Sequence, residues 1–251
     1  MSVFRERVRA GEPLIGTWVK TPSPMVCEVL GATELDMVCL DAEHAPFDRM
    51  ALDQCLLALR SSGMPALVRV PSAAPEHTLN ALDCGATGIV VPHVTSAAMA
   101  AAAAGAAHYG PGGRGYAGSS RAAAYTRKPM ASHLADSAAE STVIAQIEDL
   151  EALEVIDEIA AVDSVDCLFI GRADLTVAMG ADSPKAPEVV SAVERVCEAG
   201  RRAGRAVGMF VGDAGEVPHW REAGASFFLL SSDHGFLQQG ASALAGAFRV
   251  S

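Results

Sequence analysis

Residues 37–48 read MVCLDAEHAPFD, and this stretch predicts the architecture of the chain. Its apolar run ends abruptly at Asp41, and Glu43, His44 and a proline follow within five residues. A parallel strand that is buried on both faces has this form, because polar groups appear only where the strand leaves the core. We therefore expect residues 37–42 to form a strand of a parallel sheet, with the titratable groups at its carboxyl end.

The same unit, a short apolar run followed by an amphipathic stretch, occurs along the whole sequence. Alternating strands and helices indicate right-handed βαβ units and a parallel sheet. Eight such units in 251 residues fit an α/β fold with a single (β/α)8 TIM barrel domain over residues 1–251. An open, doubly wound sheet is the alternative, but the GxGxxG turn typical of that fold is absent after the first run. The predicted strands are residues 14–20, 37–42, 66–70, 88–94, 142–148, 167–171, 206–210 and 226–231, and the predicted helices include residues 48–61, 75–84, 95–107, 149–160, 186–203, 213–223 and 233–248.

The composition excludes several classes of protein. A formal net charge of -11 argues against nucleic acid and anionic membrane surfaces, which require clustered Lys and Arg. No apolar run approaches the length of about 18 residues that a membrane span needs, and the N-terminus has no apolar signal core. The six cysteines form no CxxC pair, which is typical of reduced thiols in a cytoplasmic protein.

Polar side chains collect where the predicted strands end. Because all strands of a parallel barrel point the same way, their carboxyl ends converge on one place, which is where such barrels carry their active sites. A single acid after a strand is usually a helix N-cap, but a base, a cation and several carboxylates together indicate a site. These strand-end residues include Trp18, Lys20, Asp41, Glu43, His44, Arg69, Gln146, Glu148, Gly171, Asp174, Ser231 and Asp233.

Two carboxylates in adjacent units predict a metal site. Glu148 ends the fifth strand in QIED, and Asp174 follows the sixth in GRADL. Neighbouring strands lie about 4.8 Å apart, so the two side chains can meet. Carboxylate oxygens suit a hard divalent ion such as Mg²⁺ or Mn²⁺. The alternative for each acid alone is helix capping, and the lack of a nearby Cys or His argues against structural zinc.

Arg69 ends the third strand, and a guanidinium that is buried there requires a partner because an unpaired buried charge is costly. A salt bridge to Asp41 or Glu43 is one interpretation. The other is contact with a substrate carboxylate or with a developing enolate charge. Residues 109–130, rich in Gly and Arg, follow the fourth strand and are either an active-site loop or a flexible connector.

The motifs GTWVKTPSPMVCEVLG, DAEHAPFD, LVRVP, ALDCGATGIVVPHV, GGRGYA, QIED and FIGRADL occur in order between about residues 11 and 247. Together they resemble the HpcH/HpaI-type class II, metal-dependent pyruvate aldolases, the group that acts on 4-hydroxy-2-oxoheptanedioate and 2-dehydro-3-deoxyglucarate. The combination of EHxP and IGxADL is specific, whereas either motif alone is weak.

The resemblance implies a role for each matching residue. It implies His44 as the general base, Arg69 as the group that stabilises the enolate, and Asp83 as an acid that raises the basicity of the histidine across a subunit boundary. It also implies a homo-oligomer, commonly a hexamer built as a trimer of dimers, in which the last helix is exchanged between subunits. The remaining implied residues are Glu148 and Asp174 for the metal, and Gln146, the Ala173 backbone, Asp174, Trp18 and Gly171 for the substrate.

The expected reaction is the reversible cleavage of a 4-hydroxy-2-oxo acid to pyruvate and an aldehyde, with Mg²⁺, Mn²⁺ or Co²⁺ and no nucleotide cofactor. A Schiff-base route is disfavoured, because only Lys20 of the three lysines lies near a strand end. Two other functions remain open. One is a citrate lyase β-like cleavage of an acyl-CoA thioester, and the other is non-catalytic binding of a 2-oxo acid. The basic residues that could bind the coenzyme A phosphates in the first of these are Arg114, Arg121, Arg127 and Lys128.

Arg172 stands where the resembled family has proline, two residues before Asp174. One interpretation points its side chain outward to a surface acid such as Asp149 or Glu151. The other places it over the pocket, where it favours an aldehyde with a carboxylate or polar tail.

Overall fold

The structure, a computed structural model, describes residues 4–250 and forms a closed barrel of eight parallel strands. The strands pair in chain order, and the last closes on the first, so the (β/α)8 prediction is confirmed and the open sheet is excluded. All eight predicted strands are present. They are β1 (Leu14–Val19), β2 (Met37–Asp41), β3 (Ala66–Arg69), β4 (Gly88–Val91), β5 (Thr142–Ile147), β6 (Cys167–Ile170), β7 (Ala206–Val211) and β8 (Phe227–Ser232).

Helices lie between the strands, and several of them differ from the predictions. The predicted helix 149–160 is broken at Val155. The predicted helix 213–223 begins as a 3₁₀ turn at Ala214–Glu216, and a further helix follows Pro129 after the glycine-rich loop. The helices are α1 (Phe4–Arg9), α2 (Pro24–Gly31), α3 (Arg49–Ser62), α4 (Pro75–Asp83), α5 (Ala97–Ala107), α6 (Met130–Glu140), α7 (Leu150–Glu154), α8 (Ile156–Ala160), α9 (Arg172–Ala178), α10 (Pro187–Ala203), α11 (Val217–Ala223) and α12 (Asp233–Val250).

The inside of the barrel is filled with apolar side chains. Alternate residues of each strand point inward, and together they form one buried cluster that is distinct from the layer between strands and helices. Burial of this kind contributes about 25 cal/mol for each Å² of apolar surface removed from water. The interior is therefore a packed core, and a site can form only at its ends. The inward residues include Leu14, Trp18, Met37, Cys39, Leu67, Val90, Ile144, Cys167, Phe169, Phe227 and Leu229.

Helix α1 covers the amino end of the barrel. Its Phe4 side chain joins the interior cluster. Arg5 donates to both oxygens of Asp166, 3.0 Å each, and Arg7 donates to Asp36, 2.8 Å. These two acids stand directly before β6 and β2. With the amino end covered, the open end is the one where the strands finish.

Two further expectations concern the whole chain. All six cysteine thiols are buried and free, as the absence of a CxxC pair predicted. Within residues 4–250, no helix has the length and apolarity needed to cross a membrane.

Candidate active site at the carboxyl end of the barrel

A cavity of about 350 Å³ opens where the strands end. Other cavities of similar or larger size lie elsewhere, but their walls do not include the strand-end groups that the sequence singled out. The rim cavity brings together most of the predicted site residues, although they come from five different strand ends. The predicted residues in its wall are Trp18, His44, Arg69, Gln146, Gly171, Ala173 and Asp174.

Asp41 organises one side of this cavity. Its carboxylate is fully buried at the end of β2, and Arg69 lies opposite it on β3. Arg69 donates from Nε to Oδ1 at 3.0 Å and lies with Nη2 2.9 Å from Oδ2. Lys20 Nζ also donates to Oδ2, and the His44 N–H donates to Oδ1 at 3.2 Å. Burial alone would raise the pKa of Asp41, but Arg69 and Lys20 outweigh burial and hold it below its ordinary value.

Arg69 is held on three sides. Besides its fork on Asp41, its Nε lies 3.3 Å from Glu43 Oε2, and its guanidinium stacks over the Trp18 ring at 4.4 Å. The salt bridge that the sequence left open is therefore present, to both candidate acids. Because Arg69 also lines the cavity, this pairing orients the guanidinium and does not exclude a role toward substrate.

His44 lies at the cavity mouth with 59% of its side chain exposed, and Nε2 is 3.6 Å from Glu43 Oε2. The segment after β2 bends sharply, since Ala45 N donates back to Asp41 O at 3.2 Å before the proline. This turn presents the imidazole at the rim while its own backbone N–H remains on Asp41. A histidine so placed can exchange a proton with a molecule in the cavity.

Gln146 lines the opposite side of the cavity, and Glu148 lies behind the wall in contact with it. Glu148 is buried, with Oε1 accepting from His93 N at 2.9 Å and Oε2 accepting from Gln146 Nε2. Burial raises the pKa of Glu148, and Asp174 adds to the rise while the Gln146 and His93 hydrogen bonds oppose it. Gln146 Oε1 is buried and has no hydrogen-bond partner among the described residues. An unsatisfied buried oxygen beside a carboxylate indicates a place for a ligand.

A gap at Gly171 separates the two predicted metal ligands. A Cβ atom at this residue would lie 2.7 Å from Glu148 Oε2 and 3.5 Å from Asp174 Oδ2. Both carboxylates therefore face the space that glycine leaves open, as the adjacent strands predicted. Two carboxylates around a small polar space are the donor set that a hard divalent cation requires, so these residues fit such an ion.

The sequence analysis missed His93. Its Nδ1 lies 3.0 Å from Asp149 Oδ2 and 3.4 Å from Glu148 Oε1. The donor atoms of these three residues lie within 4.8 Å of one another, so they could also hold a cation. Burial lowers the pKa of His93, but the surrounding carboxylates outweigh burial and raise it. The signal was a histidine after an apolar run, as at His44, but the predicted strand 88–94 ran past the strand end and concealed it.

Asp83 lies outside the cavity wall. It ends α4 and forms an ion pair with Arg114, from the loop after α5. Within one chain, Asp83 and His44 are not brought together in the rim cavity.

Arg172 is buried rather than exposed, and its partner is neither of the acids that the sequence suggested. Nη1 donates to Glu216 at 2.8 Å, and the guanidinium stacks over Trp220 at 5.0 Å. Its partner Glu216 lies on the next unit of the barrel, and Arg172 also lines the rim cavity, so the outward interpretation is not confirmed. Asp149 instead contacts His93.

The sequence of this chain is similar to those of known aldolases. The sequence profile of the HpcH/HpaI aldolase/citrate lyase family matches residues 14–239. Hydroxypyruvate/pyruvate aldolase of Pseudomonas aeruginosa is 35% identical over 98% of this chain and 92% of its own. The 4-hydroxy-2-oxo-heptane-1,7-dioate aldolase of Salmonella typhimurium is 34% identical over 99% of this chain and 95% of its own.

Solved structures agree with the sequence comparison. A HpcH/HpaI aldolase/citrate lyase family protein from Burkholderia cenocepacia superposes with a TM-score of 0.92 at 34% identity, covering 98% of both chains. The citrate lyase β subunit of Mycobacterium tuberculosis gives a TM-score of 0.57 at 18% identity, covering 89% of this chain and 93% of its own. At that distance the likeness extends to the fold alone.

Proposed function

Because this chain belongs to the HpcH/HpaI aldolase/citrate lyase family, we propose that it is a carbon–carbon lyase that reversibly cleaves a 4-hydroxy-2-oxo acid to pyruvate and an aldehyde. The observation that carries the proposal is the pair of carboxylates, Glu148 and Asp174, facing the space at Gly171. Asp174 lines the rim cavity together with a fixed cation, Arg69, and an exposed base, His44.

Glu148 and Asp174 would hold the divalent cation, and Mg²⁺, Mn²⁺ and Co²⁺ are the candidates for an oxygen-rich site. When bound, the cation supplies Lewis acidity that stabilises negative charge on the oxo group. His93 holds the other oxygen of Glu148 through its backbone N–H, and Asp149 contacts the imidazole of His93.

The 2-oxo acid lies against the ends of β5 and β6. Gln146, whose Oε1 lacks a partner among the described residues, orients it. The first intrahelical hydrogen bond of α9 runs from Leu175 N to Gly171 O at 3.0 Å, so the N–H of Ala173 has no acceptor within the helix. This N–H donates to the substrate carboxylate. Trp18 and the absence of a side chain at Gly171 shape the space around it.

Cleavage uses the two groups on the other side. His44 takes the proton of the 4-hydroxyl as the C3–C4 bond breaks, and the aldehyde forms. The electron pair of that bond moves toward the oxo oxygen and gives the enolate of pyruvate. Arg69, held by Asp41 and stacked on Trp18, stabilises this charge. The proton that His44 took then passes to C3 of the enolate, which completes pyruvate and restores the base, and synthesis is the reverse.

The oligomer belongs to the same proposal. From Phe236 to Arg249, every residue of α12 is exposed, including the apolar Leu237 and Leu244. A helix that covers so little of its own barrel fits exchange between subunits in a homo-oligomer such as a hexamer. Asp83 would then support His44 of a neighbouring subunit, as the family resemblance implies.

Cleavage of an acyl-CoA thioester is disfavoured by ion pairing. The phosphates of coenzyme A would require unpaired cations, but three of the basic residues suggested for this role are already occupied by acids. Non-catalytic binding of a 2-oxo acid is disfavoured because the site also contains a base, His44, which binding alone does not require. The three ion pairs are Arg114 with Asp83, Arg121 with Asp53, and Lys128 with Asp136.

The test is an assay of pyruvate release from a 4-hydroxy-2-oxo acid, using protein stripped of metal and then supplied with Mg²⁺, Mn²⁺ or Co²⁺. We expect release only with added metal, and a loss of more than about 100-fold in Glu148→Gln and Asp174→Asn. Glu151→Gln, an exposed acid on α7, is the matched control and should retain activity. Metal-independent release that survives both substitutions would contradict the proposal.

A further inference from the structure

Lys20 is a titratable group of the rim cavity that the proposed reaction does not use. It follows β1 directly, its side chain is 30% exposed, and it forms part of the cavity wall. Its backbone N–H donates to Asp233 Oδ1 at 2.8 Å, which fixes the start of the side chain. Its Nζ donates to Asp41.

The other two strong cations of the cavity wall are already engaged. Arg69 spans both oxygens of Asp41 and stacks over Trp18. Arg172 is turned to Glu216 and stacked on Trp220. Neither guanidinium can bind a new anion without giving up a partner.

The Lys20 ammonium differs from both. It carries three N–H donors, and within residues 4–250 its Nζ has one hydrogen-bond partner, Asp41. The Asp41 carboxylate also accepts both contacts of the Arg69 guanidinium, so its negative charge is shared between Arg69 and Lys20. Two donors of Lys20 are therefore left for a molecule in the cavity.

The ring of strands places Lys20 far from the proposed metal ligands. In a closed barrel of eight strands that pair in chain order, β1 lies diametrically across from β5, which carries Gln146 and Glu148. A 2-oxo acid held at β5 and β6, as proposed, leaves the β1 side of the same cavity, where Lys20 lies, for its C4 substituent. That substituent becomes the aldehyde half in cleavage.

We propose that Lys20 is a specificity-determining residue that binds a carboxylate on the aldehyde half of the substrate. This inference rests on the proposed aldolase function and adds the residue that selects among aldehydes. The recognition is a charge-assisted hydrogen bond from an ammonium with unfilled donors to an anionic oxygen. It requires no movement of Arg69 or Arg172.

The test compares two aldehydes of equal length in the synthesis direction, with pyruvate and metal. 4-Oxobutanoate ends in a carboxylate, and butanal ends in a methyl group. We expect Lys20→Met to lower the ratio of kcat/KM for 4-oxobutanoate to that for butanal by about 10–100-fold, chiefly through KM. Lys20→Arg should restore most of that ratio, because it keeps the charge.

Lys185→Met is the matched control, since this lysine is exposed and lies outside the cavity wall, and its ratio should equal that of the wild type. Equal losses for both aldehydes in Lys20→Met, or an unchanged ratio, would overturn the inference. Failure of the proposed function gives a different result: the wild type would then make no aldol with either aldehyde. It would also show no metal-dependent deuterium exchange at the methyl group of pyruvate.

Discussion

Asp41 shows how one buried carboxylate can position a site. It accepts hydrogen bonds from Lys20, Arg69 and the backbone of His44, three groups that lie around the same cavity. None of these donors can shift without leaving a fully buried charge under-compensated, which is strongly unfavourable. The Asp41 side chain thus fixes the positions of Arg69, Lys20 and the His44 backbone relative to one another.

This arrangement predicts how stability depends on pH. The pKa of Asp41 is lower in the folded protein than its ordinary value of 3.8, so the ionised carboxylate stabilises the fold above that value. The contribution is lost as the pH falls through the lowered pKa. We expect Asp41→Asn to lower the free energy of unfolding at pH 7 by about 3 kcal/mol, with the deficit shrinking in strongly acidic buffer. Urea unfolding measures this; Asp182→Asn, an exposed acid, is the control, and a pH-independent deficit would contradict the assignment.

His44→Ala separates proton transfer from binding. Loss of a general base slows turnover by about 10²–10⁴-fold, while pyruvate, held on the other side of the cavity, should still bind. Calorimetric titration with pyruvate and metal checks the second expectation. His219→Ala, at an exposed position on α11, is the control. An unchanged turnover number would mean that His44 is only a rim histidine.

Gly171→Ala tests the gap between the carboxylates without removing either of them. The added methyl group would lie 2.6 Å from Glu148 Cβ and 2.7 Å from Glu148 Oε2, so the Glu148 side chain must leave its present position beside Asp174. We expect metal affinity to fall at least tenfold with the fold retained, as measured by calorimetry and circular dichroism. Gly212→Ala, where a Cβ atom would meet open space, is the control. Wild-type affinity in Gly171→Ala would place the metal elsewhere.

At the scale of elements, α12 is the unusual one. Leu237, Leu244 and Phe248 share one face of the helix, and Leu237 and Leu244 are 66% and 77% exposed. Most of the other helices bury apolar residues, for example Val193, Val196 and Cys197 in α10. The sequence predicted the helix correctly, and under the proposed function a neighbouring subunit covers its exposed apolar face.

The oligomer can be tested on that face. We expect Leu237→Asp combined with Leu244→Asp to reduce the assembled mass, because each Asp places a charge in a buried apolar contact. Sedimentation velocity at several protein concentrations measures the change. Gln239→Asp, on the opposite side of the helix, should leave the mass unaltered. If the double variant assembles like the wild type, α12 is not the exchanged element.

At the scale of the whole molecule, the barrel separates stability from chemistry. The interior and the amino end are packed with apolar side chains and with ion pairs of α1, whereas the carboxylates and the base gather at the carboxyl end. The Glu148 carboxylate is destabilised there, since burial and Asp174 raise its pKa. A cation between these carboxylates would relieve that cost.

Metal should therefore stabilise the whole fold. A cation at about 100 times its dissociation constant adds about 2.7 kcal/mol, or roughly 5–10 °C in Tm for a chain of this size. We expect Mn²⁺ to raise the Tm of the wild type by this amount and to leave Asp174→Asn nearly unaffected. An equal rise in both proteins would show that the stabilising ion binds at another place.

The sequence by itself determined the fold and most of the rim. Strand and helix periodicity is local, so eight apolar runs with intervening helices were sufficient to predict the barrel. Since every parallel strand points the same way, residues at strand ends such as His44, Arg69 and Glu148 could be assigned to one edge without knowing their contacts.

Only the tertiary structure decided which of these groups meet. The strand β4 ends at Val91, because Pro92 has no N–H to donate to the sheet. The sequence prediction extended the strand to Val94 and so concealed His93. The pairing of Arg172 with Glu216 and of Asp83 with Arg114 joins separate βα units. Lys20 acquires its role only by standing across the mouth from Glu148. Such contacts depend on how the closed barrel brings βα units that are distant in sequence close together in space. A local pattern of residues contains no information about this proximity.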